Sequence, residues 1–166
     1  MEDSRMKSTS TIFNSIKTTL FIVLATTIVL FLLPALILNR AASGMLSFGM
    51  FRYLAILFWS GGGILLIWAA RDFVIRGSGT PIPTDPPKSL VIHGFYRYTR
   101  NPMYLGVLSA LLGHFLWFQS LWLLLFLGFV FFVFHTGVRI YEEPTLHKLF
   151  GKAYQEYQNS APRWLF

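Results

Sequence analysis

Four apolar runs divide this chain of 166 residues, at 18–38, 53–70, 104–118 and 121–136. A helix needs about 20 apolar residues to cross a hydrocarbon core of ~30 Å. Inside lipid every backbone N–H and C=O must be satisfied within the segment, so runs of this kind are constrained to be helical. The last two runs hold 15 and 16 residues, which at 1.5 Å each reach only about 22–24 Å. Either they form a tight hairpin in a thinned or protein-covered position, or their helices run on through the polar ends. Only Gln119-Ser120 separates them, so they are antiparallel neighbours. The expected fold is an all-α integral membrane protein with four transmembrane helices, the last two a tight hairpin. The whole of 1–166 reads as one domain, with residues 1–76 carrying the N-terminal membrane helices.

Composition agrees. Hydrophobic residues make up 54% and charged residues 13%, against about 25% charged in soluble domains. There is no cysteine, which excludes disulfides, thiolate nucleophiles and cysteine-bound metals. The net charge of +7 does not mark a nucleic-acid binder, because Lys and Arg flank apolar runs instead of gathering on one soluble face. Twelve of the fourteen basic residues fall in the N-terminal tail, the second loop and the C-terminal tail. The positive-inside rule places those three on the cytoplasmic side. Four spans return the chain to its starting side, so a multi-pass protein with both termini cytoplasmic is expected.

The second loop contains four prolines within residues 81–87, which favours a stiff, extended strap over residues 77–87. After Pro144, the spacing of Leu146, Leu149, Phe150, Tyr154 and Tyr157 puts apolar groups on one helical face. This reads as a cytoplasmic amphipathic helix, broken or loosened at Gly151. Gly61-Gly62-Gly63 suits close helix packing. His114 and His135 lie at different levels of the hairpin with no third ligand, so no metal site is expected.

The chemistry gathers at residues 94–104 and at Glu142-Glu143. Charged groups at the lipid border are costly unless paired, solvated or used. Asn101-Pro102 combines a preferred N-cap with a proline favoured at the first helical position, so the third membrane helix starts there. Free N–H groups at that start can receive an anion, and Arg100 and Tyr104 bracket it. Arg139 precedes Glu142 and Glu143 by three and four residues, a spacing for helical neighbours. The hairpin brings the anion-receiving helix start opposite the carboxylates. An amino-acid-like zwitterion would suit such a pair of receivers.

The ordered set Gly-Thr-Pro-Ile-Pro, Lys88-Ser-Leu-Val91, Gly94-Phe-Tyr96, Arg100-Asn-Pro-Met-Tyr104, Glu142-Glu143, Phe150-Gly151, Tyr154, Tyr157 and Pro162-Arg163 resembles isoprenylcysteine carboxyl methyltransferase-like membrane enzymes. The related phospholipid N-methyltransferases share the Arg-Asn-Pro-Met-Tyr and Glu-Glu elements. The resemblance spans residue 77 to the C-terminus, and implies that residues 77–166 form the cofactor-binding catalytic part. The implied cofactor is S-adenosyl-L-methionine. By position, Lys88, Ser89, Leu90, Val91, Tyr96, Asn101, Pro102, Met103, Tyr104 and Glu142 look like its contacts.

Arg100, Arg139 and Glu143 are the residues expected to serve the transfer itself, with Glu143 or a tyrosine as proton acceptor should the methyl acceptor be an amine. Isoprenylcysteine enzymes usually have His at the position of Asn101 and a substrate-facing Arg at that of Val138. Carboxyl O-methylation of a lipophilic small molecule or lipid-modified acceptor is the leading expectation. Phospholipid amine N-methylation comes second, and a non-catalytic small membrane subunit is the reading from another class. Membrane lipids are expected partners, nucleic acid is not, and nothing in the sequence identifies a protein partner.

Overall fold

The computed structural model describes residue 16 and residues 19–40, 46–47, 49–73, 75 and 89–165. Among these, five helices carry the fold: α1 (Thr19–Arg40), α2 (Gly49–Asp72), α3 (Pro102–Phe118), α4 (Leu121–Phe150) and α5 (Lys152–Ser160). A short 3₁₀ turn, Gly94–Arg97, precedes α3. Three helices are long and apolar enough to cross a membrane: α1, α2 and α4, with 22, 24 and 30 residues. Helix α3 has 17 residues, about 25 Å of length. Large apolar side chains face outward along these helices, among them Leu57, Ile67 and Phe132. A water-soluble bundle would bury them, and lipid solvates them. The strap at 77–87 and Lys88 lie outside the described residues.

The fourth helix takes the second of the two expected alternatives and runs on through its polar end, past residue 136 to Phe150, so the stretch read as a separate amphipathic helix is in part its extension. Pro144 does not open a new helix. A proline lacks the N–H that would bond the carbonyl four residues back, and the chain accommodates this with a π turn at Val138–Glu142. There the Glu143 N–H returns to Val138 O, five residues back. Pro34 in α1 is treated alike. A π turn at Ile28–Leu32 precedes it, with Leu33 N–H bonded to Ile28 O. Such wide turns are a recognised way for a helix to absorb a local mismatch.

Helices α2 and α3 run antiparallel and meet backbone to backbone. A Cβ on Gly62 would lie 2.7 Å from Gly106 O, and one on Gly106 would lie 2.9 Å from Gly62 O. Gly61 and Gly63 face open space, so only the middle glycine of the triplet serves the packing. Ser109 Oγ donates to Phe58 O at 3.0 Å across the same seam. At the far end the hairpin turn is as tight as its two residues require, with Gln119 left-handed (φ 53°) and its N–H bonded to Phe115 O. Leu46 N–H donates to Gln119 O, tying the start of α2 to this turn.

Gly151 ends α4 with φ 50° and ψ −120°, a backbone region open essentially to glycine. The chain turns there into α5, which folds back under the helix ends. Tyr154, Tyr157 and Ala161 pack with Ala69, Val91 and Tyr96 in one buried cluster, and Leu146 and Phe150 lean on it. Leu149 does not join them. It is 50% exposed, because α4 and α5 do not share one helical axis across Gly151.

The glycine seam gives a first test. Gly62→Ala should lower the thermal stability of the protein in detergent by about 1–3 kcal/mol, the usual cost of overpacking. Gly61→Ala meets nothing within 4 Å and should be neutral or gain up to about 1 kcal/mol from helix propensity. Equal melting temperatures for the two variants would contradict the backbone-to-backbone contact.

Candidate active site

The start of α3 and the C-terminal half of α4 meet as the hairpin requires. Tyr104 and Phe134 stack across it with centroids 4.4 Å apart, and Tyr104 OH donates to Glu142 Oε1. Asn101 occupies the N-cap position and Pro102 the first turn, but Asn101 makes no side-chain cap. Its Nδ2 donates instead to Arg163 O at 2.9 Å. Thr99 Oγ1 donates to the same carbonyl at 3.2 Å, and Arg100 N–H donates to Pro162 O at 2.9 Å. The C-terminal segment is thus strapped over the beginning of α3.

Glu143 fastens that strap. Arg163 reaches it with two parallel bonds, Nε to Oε1 and Nη2 to Oε2, both 2.8 Å. Arg100 Nη1 approaches Oε1 at 2.8 Å as well. Bidentate pairing of this kind is the strong form of an ion pair, and it raises the Arg163 pKa above its ordinary value. Arg100 also donates to Tyr154 OH at 3.4 Å. Its Nε–H is buried and has no acceptor among the described residues.

Two residues earlier expected to act together are separated. Arg139 is exposed, whereas Glu143 pairs with Arg100 and Arg163. The neighbouring Val138 is buried at 2% exposure. Glu142 has Tyr104 as its partner, and among the described residues no basic group forms an ion pair with it. Leu90, Val91, Tyr96 and Met103 come together on the α5 cluster, while Ser89 is exposed. Pro102 and Asn101 are buried at the α3 start.

Tyrosines dominate the floor of the site. Tyr157 OH donates to Tyr96 O at 2.7 Å. Burial, then the neighbouring Tyr157, Asp72 and Glu142, pushes the Tyr96 phenol far above its usual pKa. Burial also raises Tyr157 and Tyr154, against the pull of Arg100 in both. These phenols are hydrogen-bond donors at neutral pH, not bases. Asp72, buried at the end of α2, sits where a Cβ on Gly94 would be. Asp72 carried no sequence motif, and Arg163 lies 20 residues from Glu143, so neither contact could be read from local spacing.

The model of the phospholipid methyltransferase family matches residues 50–153, more than half of the chain. The chain belongs to that family. This phospholipid methyltransferase family member is a membrane methyltransferase, and the matched region runs from the start of α2 through α3 and α4 into α5. Residues 162–165, which bridge to Glu143 and α3, lie beyond it. No curated protein and no solved structure matches the chain.

Two tests follow from the charges. Glu143→Gln should destabilise the protein by about 2–4 kcal/mol, short of the roughly 3–5 of a fully buried pair because Arg163 is 30% exposed. Glu142→Gln should cost less, since it leaves no guanidinium unpaired; thermal melts of both variants decide. The phenols set the alkaline limb. Unfolded tyrosines ionise near about pH 10, while folded Tyr96 and Tyr157 resist, so stability should fall as pH rises above 10. Tyr96→Phe should flatten that fall, and a parent melting temperature constant from pH 9 to 11 would contradict it.

Proposed function

We propose that this methyltransferase uses S-adenosyl-L-methionine to methylate a lipophilic acceptor at the membrane–cytoplasm border. The observation that carries the reading is the division between adjacent carboxylates. Glu143 is neutralised by two arginines, whereas Glu142, held by Tyr104, has no cation among the described residues. An uncompensated carboxylate in a poorly hydrated place suits a cationic ligand. Close by, the orphaned buried Nε–H of Arg100 suits an anion. The two together fit the zwitterionic amino-acid end of the cofactor. Val91, Tyr96, Met103 and Tyr104 would hold it with Glu142, and the roles of Lys88, Ser89, Leu90, Asn101 and Pro102 stand as part of the same proposal.

The bound cofactor supplies a methyl group activated by a sulfonium. The protein's residues supply alignment and exclusion of water. A carboxylate acceptor needs no base, because its transfer neutralises charge and is favoured in a dry site. Glu143 is occupied by its arginines and the tyrosines are protonated donors, which favours carboxyl O-methylation. Phospholipid amine N-methylation is the second reading, favoured by the family match and by Asn101 and Val138, where isoprenylcysteine enzymes have His and Arg. On either reading Arg100 faces the ligand anion and Arg139 remains available to an acceptor headgroup. We further propose four spans with both termini cytoplasmic. Helix α3 runs beside α2 along the glycine seam, which supports counting it as a crossing. Residues 77–166 would then form the catalytic part of a single domain.

Calorimetry with S-adenosylhomocysteine in detergent tests the cofactor, with micromolar binding expected. Glu142→Gln should weaken it by at least tenfold, and a complete absence of binding would leave a non-catalytic subunit. Incubation with membranes and labelled cofactor then separates the acceptors. Base-labile label is expected for a methyl ester, and stable label would establish the amine.

A further inference from the structure

Asp72 is a buried carboxylate with no part in the methyl transfer proposed above. It lies in the last turn of α2 and is 7% exposed. An anion there opposes the negative end of the helix dipole. At the border of lipid it is also costly without a partner or a task. Its Oδ2 fills the place that a Cβ on Gly94 would take, and Gly94 has φ 60°. Glycine is therefore required twice at 94, for the left-handed backbone and for the room the carboxylate takes.

Gly94 opens the 3₁₀ turn Gly94–Arg97, whose first bond runs from Tyr96 N–H to His93 O at 3.1 Å. The N–H groups of Gly94 and Phe95 precede that bond, like the unpaired first donors of any helical turn. A carboxylate against the Gly94 backbone is placed to receive them, as a capping Asp does at a helix start. The end of α2 supports the turn through two more residues. Trp68 meets Phe95 edge to face at 6.5 Å, and the fully buried Ala69 packs in the cluster with Tyr96. The turn in its own right carries Tyr96. The Tyr96 carbonyl accepts Tyr157 OH at 2.7 Å, and the phenol lies in the field of both Asp72 and Glu142. Tyr104, the partner of Glu142, lies in the field of Tyr96 in turn. Asp72, Tyr96, Tyr104 and Glu142 thus form one neighbourhood.

We propose that Asp72 is a positioning residue of the methyl-transfer site. Its carboxylate accepts from the backbone N–H groups that open the Gly94–Arg97 turn, and so holds Tyr96 beside Glu142. The inference rests on the methyl-transfer reading above, in which Tyr96 and Glu142 hold the cofactor. Asp72 acts on the cofactor only through Tyr96.

The test uses full-length protein in detergent, at a temperature where every variant is folded. Two quantities are read, hydrogen exchange at the amides of residues 94–97 and S-adenosylhomocysteine affinity by calorimetry. Asp72→Ala should speed exchange in the turn at least tenfold and weaken S-adenosylhomocysteine at least fivefold. Asp72→Asn, which keeps one acceptor oxygen in the same shape, should recover most of both. Gly94→Ala, whose Cβ displaces the carboxylate, should behave like Asp72→Ala, and decides the matter against Asp72→Asn if Asp72→Ala does not fold. Ser109→Ala removes a bond between α2 and α3 at Phe58, 14 residues from Asp72, and should leave the affinity within twofold. An equal loss of affinity in Ser109→Ala would mark a general effect of destabilisation and overturn the proposal. Unchanged exchange in Asp72→Ala overturns it too, as does faster exchange with affinity kept within twofold. Failure of S-adenosylhomocysteine to bind the parent would instead overturn the cofactor reading, and exchange in the turn would then decide by itself whether Asp72 anchors Tyr96.

Discussion

A carboxylate shared by two guanidinium groups holds the C-terminal segment against the ends of two helices. Removing charges from water near lipid carries a penalty of several kcal/mol per ion, which a single imperfect pair would not offset. Glu143 meets it with a bidentate Arg163 and a third bond from Arg100. Those three residues belong to α4, to the approach to α3 and to the C-terminal segment. The pairing therefore fixes the relative height of elements that have little other reason to meet. Thr99 and Asn101 complete the attachment through the Arg163 carbonyl.

The same arrangement explains why two adjacent glutamates differ so sharply. Successive residues on a helix point about 100° apart, so once Glu143 turns to its arginines, Glu142 is aimed elsewhere. It meets the Tyr104 hydroxyl beneath the Phe134 ring. One carboxylate serves cohesion, and its neighbour is held by a single phenol. The floor of buried phenols, Tyr96 and Tyr157 above all, adds donors without adding charge.

The apolar runs were legible in the sequence because lipid imposes the same demand on every residue of a span, whatever its neighbours. The start of α3 was legible for a local reason, since Asn101-Pro102 suits only a helix beginning. What local spacing could not convey was the partner of each polar group. Arg139 stood at helical distance from both glutamates, yet the partners of Glu143 are Arg100 and Arg163, far away in the chain. The apolar period after Pro144 read as a separate amphipathic helix, and the charges before it read as lying beyond the fourth apolar run. They are instead carried through by a π turn, and α4 continues to Phe150. Leu149 satisfied the apolar period but faces outward, because Gly151 redirects the chain before the period can repeat.

The seam between Gly62 and Gly106 has a mechanical consequence. Two backbones in direct contact leave no side chain to rotate and no gap to close. Helices α2 and α3 thus behave as one beam, and whatever yields when a ligand enters must belong to the other half. There the joints are made of ion pairs, stacked rings and a wide helical turn, all of which can be remade a little to one side. The fold sets a fixed jaw against an adjustable one, with the Tyr104–Glu142 bond on the line where they meet.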